Sequence, residues 1–129
     1  MFELTVRTRF AAAHFLRDYQ GPCARLHGHT WMVEADFQGR RLDQQGMLLD
    51  FRLLKNSVRV VIERLDHQNL NDLPPFQAAG GGNPTAENLA RWIFYALREN
   101  LADLAPEVHI VKVRVYESPE AGAAYWEGE

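Results

Sequence analysis

Residues 27–38 read HGHTWMVEADFQ, and the spacing of their side chains decides the fold. Over residues 29–38, Trp31, Val33, Ala35 and Phe37 alternate with polar neighbours such as Glu34 and Asp36. A period of two predicts a strand with one face in the core and one face in water. His27 and His29 have the parity of the apolar set. An extended conformation beginning at His27 therefore projects both imidazoles from the inward face. Residues i and i+2 of a strand lie about 6.6 Å apart at Cα, a span that two imidazoles can close onto one ion through bonds of about 2.0–2.1 Å. Gly28 between them adds no side chain and permits close backbone approach.

Residues 2–14 repeat the alternation. Phe2, Leu4, Val6, Phe10 and Ala12 share one parity, and Glu3, Thr5, Arg7 and Arg9 take the other. His14 closes this second strand on its apolar side. If the two strands are neighbours, His14 meets His27 and His29 at one end of the sheet. Three histidines from adjacent strands match a catalytic zinc site, which keeps a fourth position for water or substrate. An isolated histidine such as His109, on an alternating strand, reads instead as structural or solvated.

Beyond residue 50 the period changes. In the segment 50–65, Phe51, Leu54, Val58, Val61, Ile62 and Leu65 recur at steps of three and four, which predicts an amphipathic helix with Asp50 as its cap. A second helix follows Asn83-Pro84-Thr85, with Leu89, Trp92, Ile93, Ala96, Leu97 and Leu101 as its stripe, Thr85 as its cap and Glu87 in its first turn. The intervening LPPFQAAGGGNP (73–84) is rich in proline and glycine and reads as a flexible connection. Residues 107–118 alternate again, placing Val111, Val113, Val115 and Glu117 on one face, and AAYWE (123–127) reads as a short last strand.

The order is β-β-α-α-β-β, which predicts an α+β domain over residues 1–129: an antiparallel sheet with both helices on one face. Such a sheet leaves two unpaired edges, which favours pairing with other subunits. A chain of 129 residues is enough for one domain with its own core, and a single cysteine forms no intrachain disulfide. A net charge of -3 argues against a general nucleic-acid binder but leaves room for a local basic pocket. The alternating amino terminus resembles a strand rather than a signal peptide, so the expectation is a soluble cytoplasmic protein.

Two further clusters carry chemistry. Cys23 precedes HGH by a short loop and has two readings. It is either a fourth ligand that closes a structural metal site, or a thiolate beside an open one. Asp66 and His67 follow the first helix, either as a polar helix end or as an Asp-oriented histidine that moves protons. Side chains adjacent in sequence seldom hydrogen-bond, so both readings stay open.

FAAAH (10–14), CARLHGH (23–29), LLDF (48–51), LDHQNLND (65–72), NPTAENLA (83–90) and VYESPEAGAAY (115–125) occur in this order over nearly the whole chain. Together they resemble the 6-pyruvoyltetrahydropterin synthase family. The three residues between Cys23 and HGH resemble its bacterial 6-carboxytetrahydropterin synthase branch, which serves queuosine biosynthesis. The resemblance implies the tunnelling fold (T-fold), in which strands of several subunits form a barrel, usually a hexamer of two trimers. It implies Zn2+ on His14, His27 and His29, and Cys23 as the catalytic thiol. Asp66 and His67 would reach the site from a neighbouring subunit, and Glu117 would anchor the pterin through its carboxylate. Thr85 as a pterin contact stands beside its capping role, and Arg25 as a triphosphate contact stands beside a solvated side chain. The implied reaction converts 7,8-dihydroneopterin triphosphate to 6-carboxy-5,6,7,8-tetrahydropterin with release of acetaldehyde and triphosphate. The alternatives are 6-pyruvoyltetrahydropterin synthase activity and a non-catalytic pterin-binding zinc protein. Relative to compact bacterial forms, FQAAGGG (76–82) lengthens the connection before NPT.

Overall fold

A computed structural model describes residues 1–77 and 82–128 of the chain. Its elements are β1 (Phe2–His14), β2 (His27–Gly39), α1 (Phe51–Ile62), β3 (Gln68–Asn69), α2 (Ala86–Leu104), β4 (His109–Ser118) and β5 (Ala121–Tyr125). They form one sheet of order β3-β1-β2-β4-β5. The four long strands are antiparallel, as expected, and the two-residue β3 adds a parallel pairing to β1 at Ala12 and Ala13. Sequence patterning has no means of seeing β3, because two residues carry no periodicity.

The pairing of β1 with β2 is continuous from Phe2↔Gly39 to His14↔His27. It sets Phe10 opposite Trp31, and their rings lie nearly parallel with centroids 6.0 Å apart. Trp31 is fully buried, and its indole N–H donates to the Ala12 carbonyl at 3.2 Å. Burial of each such large side chain contributes about 1.5–3 kcal/mol. Both helices cover the face that carries these residues: α1 packs on β1 and on α2, and α2 packs on β4 and β5.

Each helix begins where a side chain can cap it. Asp50 accepts from the Arg52 N–H, and Thr85 accepts from the Asn88 N–H. The buried side of α1 starts at Leu54, and Phe51 is 48% exposed rather than part of the stripe. It sits at the first helical position, one turn before the helix makes its first core contact. On α2 the stripe is wider than the spacing predicted. Ala86, Ala90 and Phe94 are buried as well, whereas Trp92 is only partly covered and packs under the Arg64 guanidinium. The connection before α2 is not free over its described part. Pro74–Phe76 forms a 3-10 turn that buries Phe76, and the remainder of FQAAGGG at 78–81 lies outside the described residues.

β4 departs from the expected parity. Val113 and Val115 are buried, but Val111 is partly exposed and Ile110 takes its place in the core. The cause is a bulge: Asp36 pairs with Lys112 and the next residue, Phe37, pairs with Ile110. Val111 is thus an extra residue, and an extra residue inverts parity beyond it. The last strand ends at Tyr125, two residues earlier than predicted.

Isosteric polar substitutions on the two sides of the bulge test this register. Val113→Thr should cost about 1–3 kcal/mol by burying a hydroxyl, and Val111→Thr less than about 1 kcal/mol. Urea unfolding midpoints give both values, and equal losses would place Val111 in the core.

Candidate metal and catalytic site

The end of the β1–β2 pairing builds the site. Register sets His14 opposite His27 and Ala12 opposite His29, so all three imidazoles leave the sheet on the face that carries Phe10 and Trp31. Their ring centroids are 4.5 Å (His14–His27), 5.1 Å (His14–His29) and 4.8 Å (His27–His29) apart. One ring nitrogen from each falls within 4.8 Å of the others. Among the described residues this group holds three imidazoles and no thiol.

Each ring is aimed. The Pro84 carbonyl lies 2.7 Å from His14 Nδ1, and the Arg25 carbonyl lies 2.6 Å from His27 Nδ1. A carbonyl can only accept, so it fixes the proton on Nδ1 and leaves Nε2 with a lone pair. The edges of His14 and His29 rest on the Trp31 ring, at 4.9 and 5.1 Å. The Nε2 atoms of His14 and His29 are buried without a hydrogen-bond partner. Buried polar atoms are nearly always paired, and histidine ligands of metals bond through the second ring nitrogen in this way. The residues present therefore fit a bound cation, and three neutral imidazoles suit zinc.

The surroundings of His14 and His29 disfavour their protonated forms. Burial chiefly, with the neighbouring imidazoles adding to it, holds His14 below the ordinary histidine pKa, against the Pro84 hydrogen bond and the Glu117 carboxylate. Burial and His27 do the same to His29, again opposed by Glu117. Glu117 is partly buried, and its charge opposes the lowering at both rings.

Cys23 is half-buried in a short 3-10 turn, Pro22–Ala24, on the loop that returns from β1 to β2. Gly21 makes the turn possible, because at φ 156° a Cβ would come within 2.8 Å of the Tyr19 ring. Arg25 follows, with an exposed side chain and its carbonyl on His27. Thr85 spends one lone pair on the Asn88 N–H, which leaves its O–H as a donor.

Asp66 and His67 do pair, at 2.9 Å between Oδ2 and Nδ1. The bond between neighbours in sequence is achieved by a left-handed backbone at His67, φ 58°. That conformation is uncommon for a residue with a Cβ and costs on the order of 1–3 kcal/mol. It is held by two bonds to the β1 edge: the His67 N–H donates to the Ala11 carbonyl at 2.6 Å, and Asp66 Oδ1 accepts from the Ala11 N–H at 2.9 Å. The Ala11 bond first, and His67 second, hold the Asp66 carboxyl below its usual pKa. His67 is exposed and lines a shallow surface with Ala11, Ala12, Ala13, Gly28, His29 and Thr30. Within one chain the pair hangs from the Ala11 backbone at the edge of β1, and the three histidines end the β1–β2 pairing. The two orienting carbonyls were out of reach of sequence reading, since a backbone atom carries no residue signature, although Arg25 lies inside CARLHGH and Pro84 inside NPTAENLA.

A sheet of this order with two helices on one face, and a three-histidine cluster at one end, defines a class: the chain belongs to the 6-pyruvoyl tetrahydropterin synthase family, whose sequence model matches residues 3–128. It is an enzyme of that family. The 6-carboxy-5,6,7,8-tetrahydropterin synthase of Bacillus subtilis is 36% identical over 126 residues, covering 96% of this chain and 84% of the relative. The dihydroneopterin monophosphate aldolase of Pyrococcus furiosus is 34% identical over 116 residues, 90% of each chain. The solved 6-pyruvoyl tetrahydropterin synthase of Caenorhabditis elegans superposes with a TM-score of 0.83 at 25% identity, over 98% of this chain and 96% of that one. No helix among the described residues is long and apolar enough to cross a membrane.

His29→Ala should reduce bound zinc from one ion per chain to a small fraction, as measured by equilibrium dialysis and elemental analysis. His67→Ala should leave the ratio at one. Loss of zinc in the His67 variant would contradict the separation of the two groups.

Proposed function

We propose that the protein converts 7,8-dihydroneopterin triphosphate and water to 6-carboxy-5,6,7,8-tetrahydropterin, acetaldehyde and triphosphate, a step toward queuosine-type 7-deazapurines. The observation that carries this reading is the set of unpartnered imidazole nitrogens at the end of β1 and β2, in a chain whose relatives include the Bacillus enzyme of that name.

Each residue has a role that its geometry supports. His14, His27 and His29 would hold Zn2+, which when bound would polarise the side-chain hydroxyl oxygens of the substrate as a Lewis acid. Glu117, beside those rings, would accept from the pterin amino and ring N–H groups and fix the substrate's orientation. Cys23 Sγ would take up and return a proton on the side chain as it isomerises and then breaks its carbon–carbon bond. His67 would carry the companion proton at Nε2, because Asp66 occupies its Nδ1. His67 is exposed, and it would serve the site of a neighbouring copy, which a T-fold hexamer of two trimers would supply. Thr85 would donate its O–H to the pterin while still capping α2, and Arg25 would meet the triphosphate. Ring reduction is balanced within the substrate by oxidation of its side chain, so no nicotinamide or flavin takes part.

The Pyrococcus relative favours a second reading, aldol cleavage of a dihydroneopterin phosphate without ring reduction. A third is 6-pyruvoyltetrahydropterin formation, which keeps the side-chain carbons. Incubation of the zinc-loaded protein with dihydroneopterin triphosphate, and separately with the monophosphate, followed by mass identification of products, separates them. The account expects 6-carboxytetrahydropterin and acetaldehyde from the triphosphate; a pyruvoyl product, or turnover of the monophosphate alone, would sink it. Cys23→Ala should keep one zinc per chain and lose at least about a hundredfold in kcat. Full activity in that variant would remove the thiol from the mechanism.

A further inference from the structure

The pairing of β1 with β2 ends at His14↔His27, and β3 reaches only Ala12 and Ala13. The next three residues, Phe15 to Arg17, therefore have no strand beside them, although they join a proposed metal ligand to the loop that carries Cys23. Five of their six backbone groups are paired all the same. Asn71 Oδ1 accepts from the Phe15 N–H at 2.9 Å, and its Nδ2 donates to the Phe15 carbonyl at 3.0 Å. Asn83 Oδ1 accepts from the Arg17 N–H at 2.9 Å, and its Nδ2 donates to the Arg17 carbonyl at 3.0 Å. A carboxamide that accepts and donates to one residue reproduces what a neighbouring strand would do. On the opposite edge, the Leu16 N–H donates to the Cys23 carbonyl at 2.8 Å. The alternation of partners is that of an extended chain: the asparagines hold residues 15 and 17 from one side, and the cysteine turn hangs from residue 16 on the other.

Asn83 has a position that Asn71 lacks. Its successor, Pro84, supplies the carbonyl that aims His14. Its own carbonyl accepts from the Thr85 N–H at 2.8 Å and from Asn88 Nδ2 at 2.9 Å, which ties it to the first turn of α2. One dipeptide anchored on a helix end thus grips both ends of the 14–17 segment. The geometry points to Asn83 as a positioning residue that sets the His14 imidazole and the Cys23 turn relative to each other, through the Arg17 backbone and the Pro84 carbonyl. This inference rests on the metal and thiol roles proposed above, and it adds a residue to them that touches neither substrate nor ion.

Asn83→Ala removes both bonds to Arg17. Asn83→Asp keeps the acceptor for the Arg17 N–H but turns an oxygen toward the Arg17 carbonyl. Two readouts that need no turnover apply: zinc affinity by competition with a chromophoric chelator, and the rate at which iodoacetamide alkylates Cys23. Both variants should weaken zinc binding by about 10-fold or more, the range for partners that orient metal ligands, and should accelerate alkylation severalfold. Val58→Ala, in the α1 core, is the control for lost stability and should change neither. Wild-type values for both readouts in folded Asn83 variants, or equal changes in Val58→Ala, would overturn the positioning role. A wild-type protein that binds no zinc would instead remove the metal reading, and the alkylation comparison alone would then decide the role of Asn83.

Discussion

The register between β1 and β2 is the constraint on which the rest of the molecule depends. Because side chains alternate faces, a slip of one residue would put Phe10 and His14 on the opposite side of the sheet from Trp31, His27 and His29. The register is held by the apolar face itself, since any slip exposes residues now fully buried, Trp31, Val33, Ala35 and Phe37. The same pairing that builds the core therefore places the three imidazoles. Ligands placed on a rigid sheet can be aimed closely, and here the Trp31 ring and the Pro84 and Arg25 carbonyls complete the aiming.

The two faces of the sheet are put to different uses. The covered face ends in the histidine cluster, where the buried Nε2 atoms of His14 and His29 lack partners. The open face carries charged side chains paired with one another, with Arg7 at 2.6 Å from Glu34, Thr5 donating to Asp36 at 2.7 Å, and Arg114 reaching both carboxylates. The Asp66–His67 pair is held at the edge of β1, with a costly backbone conformation at His67.

Most of the architecture was legible because it rests on periodicity. Strand parity gave His14, His27 and His29 a common face before any resemblance entered, and the caps at Asp50 and Thr85 were visible as residue types. Besides β3 and the orienting carbonyls, three features were not legible, each for a physical reason. The bulge at Val111 is a single inserted residue, so alternation on either side looks unbroken in sequence while the core passes from Val113 to Ile110. The Asp66–His67 bond depends on a left-handed φ at a residue that rarely adopts one. The exposed Phe51 reflects where α1 meets the sheet, which helical spacing does not encode. Cys23 is a fourth case: parity never reached it, and its assignment as a thiol outside the metal shell came from resemblance.

The central claim is that the β1–β2 register creates a three-histidine metal centre that leaves Cys23 free. X-ray absorption at the zinc edge of the loaded wild-type protein tests this most directly. The account predicts three nitrogen scatterers at about 2.0–2.1 Å with the remaining position taken by a light atom, whereas a sulfur at about 2.3 Å or fewer than three imidazoles would contradict it.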